Sequence, residues 1–227
     1  MATSAEAITR LNAQGIIQGI TGGRAITAAS WSGGIATLTF ADASFFTQGM
    51  PVYIYGVNPT GYNTTGSAVK ILSVTATQIT YALASDPGAY VSGGSANSQV
   101  VLGRLENPKG NAFFTKLLTN GAYCAVLPAE NSEPWSGQTR HYGFTVKVEL
   151  FYGNAQNTGN DFLTTEDSWT SIRNALMNKS NWAASSRAIK TPLNSFTCRG
   201  PVVRSDLTPQ CDMYEFTMGF PGGAGLS

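Results

Sequence analysis

Charge is scarce in this chain. Of its 227 residues only 12% are Asp, Glu, Lys or Arg, and 14 basic against 13 acidic residues leave a formal net charge of +1. So even a balance builds no strong field toward a polyanion or an anionic membrane, which disfavours specific nucleic-acid binding and membrane association. Histidine is scarcer still, with His141 the only one. It stands beside Arg140 without a recognisable Ser or Cys nucleophile or an Asp at a meaningful spacing, so no hydrolytic triad is expected. The cysteines, Cys124, Cys198 and Cys211, are odd in number and widely spaced. They suggest neither a disulfide framework nor, with one histidine, a zinc site.

Other absences narrow the reading further. The paired glycines lack the strand and helix context of a phosphate-binding loop and read as turns. No catalytic constellation and no cofactor is expected, and the chain does not read as an enzyme. No apolar run approaches membrane-spanning length, and the opening MATSAEAITR has neither a basic leader nor an apolar signal core. The expectation is a protein that stays in the cytoplasm that makes it. The sequons at Asn63 and Asn178 would matter only in a secreted protein.

What is present is enough apolar material for a core, 42% of residues, under a covering rich in Ser, Thr, Asn, Gln and Gly. Cys124 lies in the apolar run 122–127, and Cys198 follows Phe196 at strand spacing, so both read as buried structural thiols. A bridge between Cys198 and Cys211 on neighbouring strands stays open.

The chain is organised around residues 140–177. Tyr142, Phe144, Val146, Val148, Leu150 and Tyr152 alternate with Thr145, Lys147 and Glu149, the pattern of a strand with one dry and one wet face. After a polar loop, Thr164 as a cap and Glu166 and Asp167 in a first turn predict a helix start. Trp169, Ile172 and Leu176 then form a stripe able to lie on the dry face of the strand.

From the beginning of the chain, residues 4–20 predict a short helix with Ala7, Ile8, Leu11 and Gly15 on one side, weakened by Gly15 and Gly19 and stopped by Gly22 and Gly23. Residues 25–96 carry almost no charge, and strand-like runs at 35–40, 51–57, 68–74 and 78–83 are separated by turn residues. This predicts a small all-β barrel or sandwich. A boundary falls between Gly94 and Leu105. Beyond it, Phe113, Phe114, Leu117 and Leu118 suggest a brief helix or packed loop, and 123–127 a short buried strand antiparallel to 142–152. Residues 128–137 read as a loop, 196–204 and 213–220 as two further strands, and Gly222 and Gly223 as the start of a loose tail. The fold class is therefore α+β: an antiparallel sheet with one or two packed helices, residues 1–24 and 105–227, interrupted by an inserted all-β module, 25–104.

Two resemblances give these patterns a function. The module's TLTFADASFFTQGMPVYIYGV, GYN, VKILSVTATQITYAL and DPGAYVSGG resemble a β-rich element of tail and virion proteins of tailed bacteriophages, over roughly residues 26–96. The outer domain's FTVKVELFYG, its TTEDSW-initiated helix and its closing hairpin resemble the tail terminator and tail completion proteins of long-tailed phages. That resemblance implies a structural virion protein, assembled in the host bacterial cytoplasm, that forms a homo-oligomeric ring, a hexamer in the family. The ring caps the tail tube, so the implied partners are copies of itself, the tail tube protein and a head-completion or neck protein.

In such a ring, Thr145, Lys147 and Glu149 on the wet face are candidates for contacts between subunits. Asn154, Asn157, Asn160 and Asp161, in the polar loop at the sheet edge, are candidates for contact with the tube. A solvated sheet face and a plain connecting loop are the bland counterparts. The inserted module departs from the usual short form and leaves another neck, tube or baseplate role open. A host-surface or carbohydrate-binding role is a further alternative, for which Tyr53, Tyr55, Tyr62 and Tyr90 would supply aromatic platforms. Trp31 and Trp135 would either anchor an interface or cover a barrel end.

Overall fold

The computed structural model describes residues 4–65, 67–104, 108–109, 111–119, 122–127, 130–132, 135–136, 139–140, 143–153, 162–183, 193–208 and 210–221. The chain is mixed α+β, with mostly antiparallel sheets and one closed six-stranded barrel. It divides into two compact units, Met1–Ile20 with Leu102–Ser227, and Thr21–Val101.

The barrel unit begins where helix α1 (Ser4–Thr21) stops at Gly22, whose φ of 64° is the left-handed conformation that ends helices. Its strands are β1 (Arg24–Ser32), β2 (Ile35–Phe40), β3 (Pro51–Tyr55), β4 (Val69–Val74), β5 (Gln78–Ala82) and β6 (Ser95–Asn97). They close in the order β1-β2-β5-β4-β3-β6. Four of these coincide with the runs expected from alternation. The sequence reading missed β1 and β6, the first because RAITAASWS is mostly small and polar and buries only Ile26, the second because it is three residues long. Gly33 and Gly34, with φ 57° and 85°, make the tight β1–β2 turn, where two positive φ values match the strand twist. Leu38, Ile54, Ile71, Ile79 and Tyr81 fill the interior. The Tyr81 hydroxyl donates to the Tyr62 carbonyl at 2.7 Å, and the Tyr62 hydroxyl to the Gly88 carbonyl at 3.1 Å, so the two largest buried polar side chains are both satisfied.

In the other unit, α1 buries Glu6, Thr9, Asn12, Ala13 and Ile17, not the expected Ala7, Ile8 and Leu11, and it continues through Gly15 and Gly19 to Thr21. Hydropathy selects the wrong face because the buried stripe is largely polar. Arg10, on the same helix, donates to the Val126 carbonyl at 3.3 Å. The sheet contains β7 (Val100–Leu102), β8 (Ala122–Val126), β9 (Glu130–Ser132), β12 (Gly143–Gly153), β13 (Ser195–Arg204) and β14 (Cys211–Pro221) in the order β13-β14-β12-β8-β7, with β9 also paired to β12. A separate two-stranded pair joins β10 (Trp135–Ser136) to β11 (Thr139–Arg140). The stretch expected to be a loop thus includes β9 and β10, whose polar sequences carry no apolar alternation.

Helix α2 (Ala112–Thr119) starts at Asn111, whose Oδ1 accepts from the Phe113 and Phe114 amides at 2.9 and 3.1 Å. Helix α3 (Phe162–Met177) begins earlier than its acidic residues suggested, so Thr164 lies within it and does not precede it. It places Ile172 and Leu176 in the core, and Trp169 packs edge-on to Tyr214 with ring centres 5.0 Å apart. A short α4 (Lys179–Ala183), not expected from the sequence, seats Trp182 against Phe220 at 5.0 Å. In β13 the register shifts between Arg199 and Val202. Gly200 sits there at φ 136°, where a Cβ would meet the Met213 carbonyl at 2.8 Å, so only glycine fits.

The three cysteines are free. Cys198 is exposed, contrary to its apolar neighbourhood, because β13 is an edge strand, although its register partner Phe216 is buried on the same face. Cys211 pairs with Arg204 farther along the hairpin, and the alternation puts the two thiols on opposite faces, which excludes the bridge. Burial raises the pKa of Cys124, and raises that of Cys211 to about 12. A maleimide should therefore modify Cys198 alone in the folded chain and all three thiols in denaturant, read by mass spectrometry. Rapid native modification of Cys124 or Cys211 would contradict this packing.

Candidate functional site

The register of β12 places the candidate residues. Val146, Val148 and Leu150 are fully buried on one face, together with Phe216 and Met218 of β14. The opposite face is not uniformly wet. Thr145 and Lys147 are half-buried, but Glu149 is 5% exposed and Phe151 is 4% exposed. The change along one face comes from α2, which covers its far end. Phe114 of that helix packs edge-on to both Tyr123 and Phe151 at 5.6 Å, and those two, opposite each other in register, sit 5.7 Å apart. The sequence signal was Phe151 itself, an aromatic at the parity of Thr145 and Lys147.

Glu149 sits at the boundary between the covered and open halves of this face. It lies opposite Glu215 on β14, an arrangement of like charges that costs stability unless a cation answers it. Arg104 does so with a two-pronged grip, Nε to Oε2 at 3.1 Å and Nη2 to Oε1. The Arg104 side chain is 61% exposed and that of Glu149 only 7%, so the cation reaches in from solvent. On the next strand of the hairpin, Arg199 stands opposite Glu215 in register. Glu149 is therefore buried and paired within its own unit, unlike the half-buried Thr145 and Lys147 offered beside it as contacts between subunits. Thr145, Lys147, Thr197 and Thr217 make up the open part of the face.

Beside the Arg104–Glu149 pair is a cavity of about 100 Å³ lined by Arg104, Phe114, Tyr123, Glu149, Phe151, Arg204, Pro108 and Leu207. Thr115 of α2 donates to the Thr208 carbonyl at 3.3 Å and ties one wall to the β13–β14 turn. Arg204 grips Asp206 through Nε and Nη2, each at 2.8 Å. That hydrogen-bonded guanidinium holds the Asp206 carboxyl down at about 2. Neither arginine was singled out from sequence, because they are separated by a hundred residues and carry no shared motif.

The remaining candidates divide. Asn154, Asn157, Asn160, Asp161, His141 and Tyr142 lie outside the described residues, as does the side chain of Trp135. Tyr53 and Tyr62 are buried and present no ring face to a sugar, while the half-buried Tyr90 donates its hydroxyl to the Ile26 and Gly93 carbonyls. Trp31 is part-buried, its indole N–H donating to the Leu83 carbonyl at 2.7 Å, which ties β1 to the end of β5. Asn63 uses its amide on both backbone groups of Val57. Among the described residues no group of three or more His, Cys, Asp or Glu is placed to hold a metal ion.

Two outcomes test these pairings. Arg104→Ala should cost about 2 kcal/mol in urea denaturation, less than for a wholly buried pair because Arg104 is mostly solvated. Arg104→Leu with Glu149→Leu should recover most of that loss, and equal costs for the single and double variants would contradict the buried-carboxylate account. For Asp206 the folded pKa is depressed, so its contribution is present above the ordinary carboxylate range and is lost as pH falls toward about 2. Carboxyl NMR should give that midpoint in the native chain, and Arg204→Gln should move it up toward 3.8, the value for a free Asp.

No protein-family model and no curated protein matches the chain. One solved structure, a chain from the virion of a native gene transfer agent particle, aligns with 55% of this chain and 80% of its own, at 12% identity and a TM-score of 0.33, too low to establish a common fold.

Proposed function

We propose that this chain is a structural protein of a phage-like virion and that it closes into a homo-oligomeric ring capping a tail tube, the tail-terminator role. The observation that carries the reading is the free edge of the larger sheet. β13 is ten residues long and ends the strand order, so among the described residues no strand pairs with its outer side. Such an edge is a template for another chain, and a head-to-tail contact between the β13 edge of one copy and the opposite edge of the next gives a ring when its rotation closes. The bulge at Gly200 and Pro201 interrupts the edge and restricts pairing to a defined register. Thr145 and Lys147, on the open part of the polar face, are the side-chain contacts between copies. The scarcity of charge suits such an interface, whose core is depleted in charged residues.

The resemblance of FTVKVELFYG and the closing hairpin to tail terminators supports the same reading, with the tube protein and a neck protein as further partners and the virion as the site of action. A host-surface adhesin is the poorer fit, because Tyr53 and Tyr62 are buried within the barrel unit.

Negative-stain imaging of the purified chain, alone and mixed with the tube protein of the same genome, should show rings seated on one end of each tube. Monomers that decorate no tube end at high concentration would overturn the reading.

A further inference from the structure

The cavity between α2, β8, β12 and the β13–β14 turn meets β13 only at its last residue, Arg204, and has its own chemistry. Phe114, Tyr123, Phe151 and Leu207 supply an apolar floor, and Arg104, Arg204 and Glu149 line it; with the Asp206 carboxylate bonded to Arg204, two guanidiniums and two carboxylates balance. Both guanidiniums are already oriented by carboxylates through Nε and Nη2. Of the remaining nitrogens, Nη1 of Arg204 meets, among the described residues, the Met213 sulfur at 3.6 Å, a weak acceptor that an anion would displace. Nη1 of Arg104 makes no hydrogen bond among the described residues. The walls are preformed, by the Asn111 cap of α2 and by the bond from Thr115 to Thr208. At about 100 Å³ the space is smaller than the roughly 150 Å³ that accepts benzene, and it suits a branched group of three or four carbons.

We propose that this cavity binds a carboxylate carrying a short branched apolar group. The apolar part occupies the aromatic floor, and the carboxylate meets the two Nη1 groups of Arg104 and Arg204. Two sources offer that chemistry, the C-terminal Leu or Val of a peptide chain and a free branched-chain acid. Arginine suits either, because its fixed donors match a carboxylate and its orientation by a second acid lowers the entropy lost on binding. The site belongs to one subunit, so binding does not require ring assembly and stands or falls independently of it.

Isothermal titration of the full chain with N-acetyl-Gly-Gly-Leu as free acid, with the same peptide amidated, and with isovalerate tests the proposal. The free acid should bind, and the amide should bind about tenfold or more weakly, the loss expected for one charge-assisted contact. Isovalerate matching the peptide would assign the site to small acids, and a clear preference for the peptide would assign it to a chain terminus. Leu207→Trp, which fills the cavity, should abolish binding. Arg104→Gln should weaken binding, and combining it with Glu149→Gln keeps the buried carboxylate from unfolding the variant. No heat with either acid, or equal affinity for acid and amide, would overturn the proposal.

Discussion

The central position of β12 is the constraint on which the larger unit depends. Its antiparallel register with β14 runs from Gly143 opposite Pro221 to Gly153 opposite Cys211, and its other side pairs with β8 and β9. Because side chains alternate, that single register decides which residues meet the helices and which meet the open face. A slip of one residue would put Val146, Val148 and Leu150 on the side of Thr217 and Glu215. Eleven paired residues between two helix-covered strands make such a slip costly.

Electrostatics follows from that register. Alternation puts Glu149 and Glu215 opposite each other, and two arginines from distant parts of the chain offset the repulsion, Arg104 by direct contact and Arg199 by its place opposite Glu215. In a chain with so few charges, these groups gather where α2 stops covering the sheet. The same gathering leaves a small cavity with an aromatic floor and oriented guanidiniums. The barrel unit differs in kind. It satisfies its largest buried polar side chains, Tyr62 and Tyr81, by bonds from their hydroxyls to backbone carbonyls.

The α+β class, most barrel strands, the β12 alternation and the stripe of α3 could all be read locally, since each rests on a period of 2 or 3.6 that survives in one dimension. Locally polar or very short elements could not: β1, β6, β9, α4 and the buried polar stripe of α1 have little hydropathy contrast to reveal them. The candidate site was legible only in part. Thr145, Lys147 and Glu149 were recognisable as one face, but the burial of Glu149 was not.

The periodic elements and the low share of charge were legible in one dimension, because periodicity belongs to neighbouring residues and composition to the chain as a whole. Folding alone brings Arg104 to Glu149, places Arg204 at the same cavity and turns Cys198 and Cys211 to opposite faces. Those relations depend on which strands pair and in what register, and neither leaves a trace in local spacing.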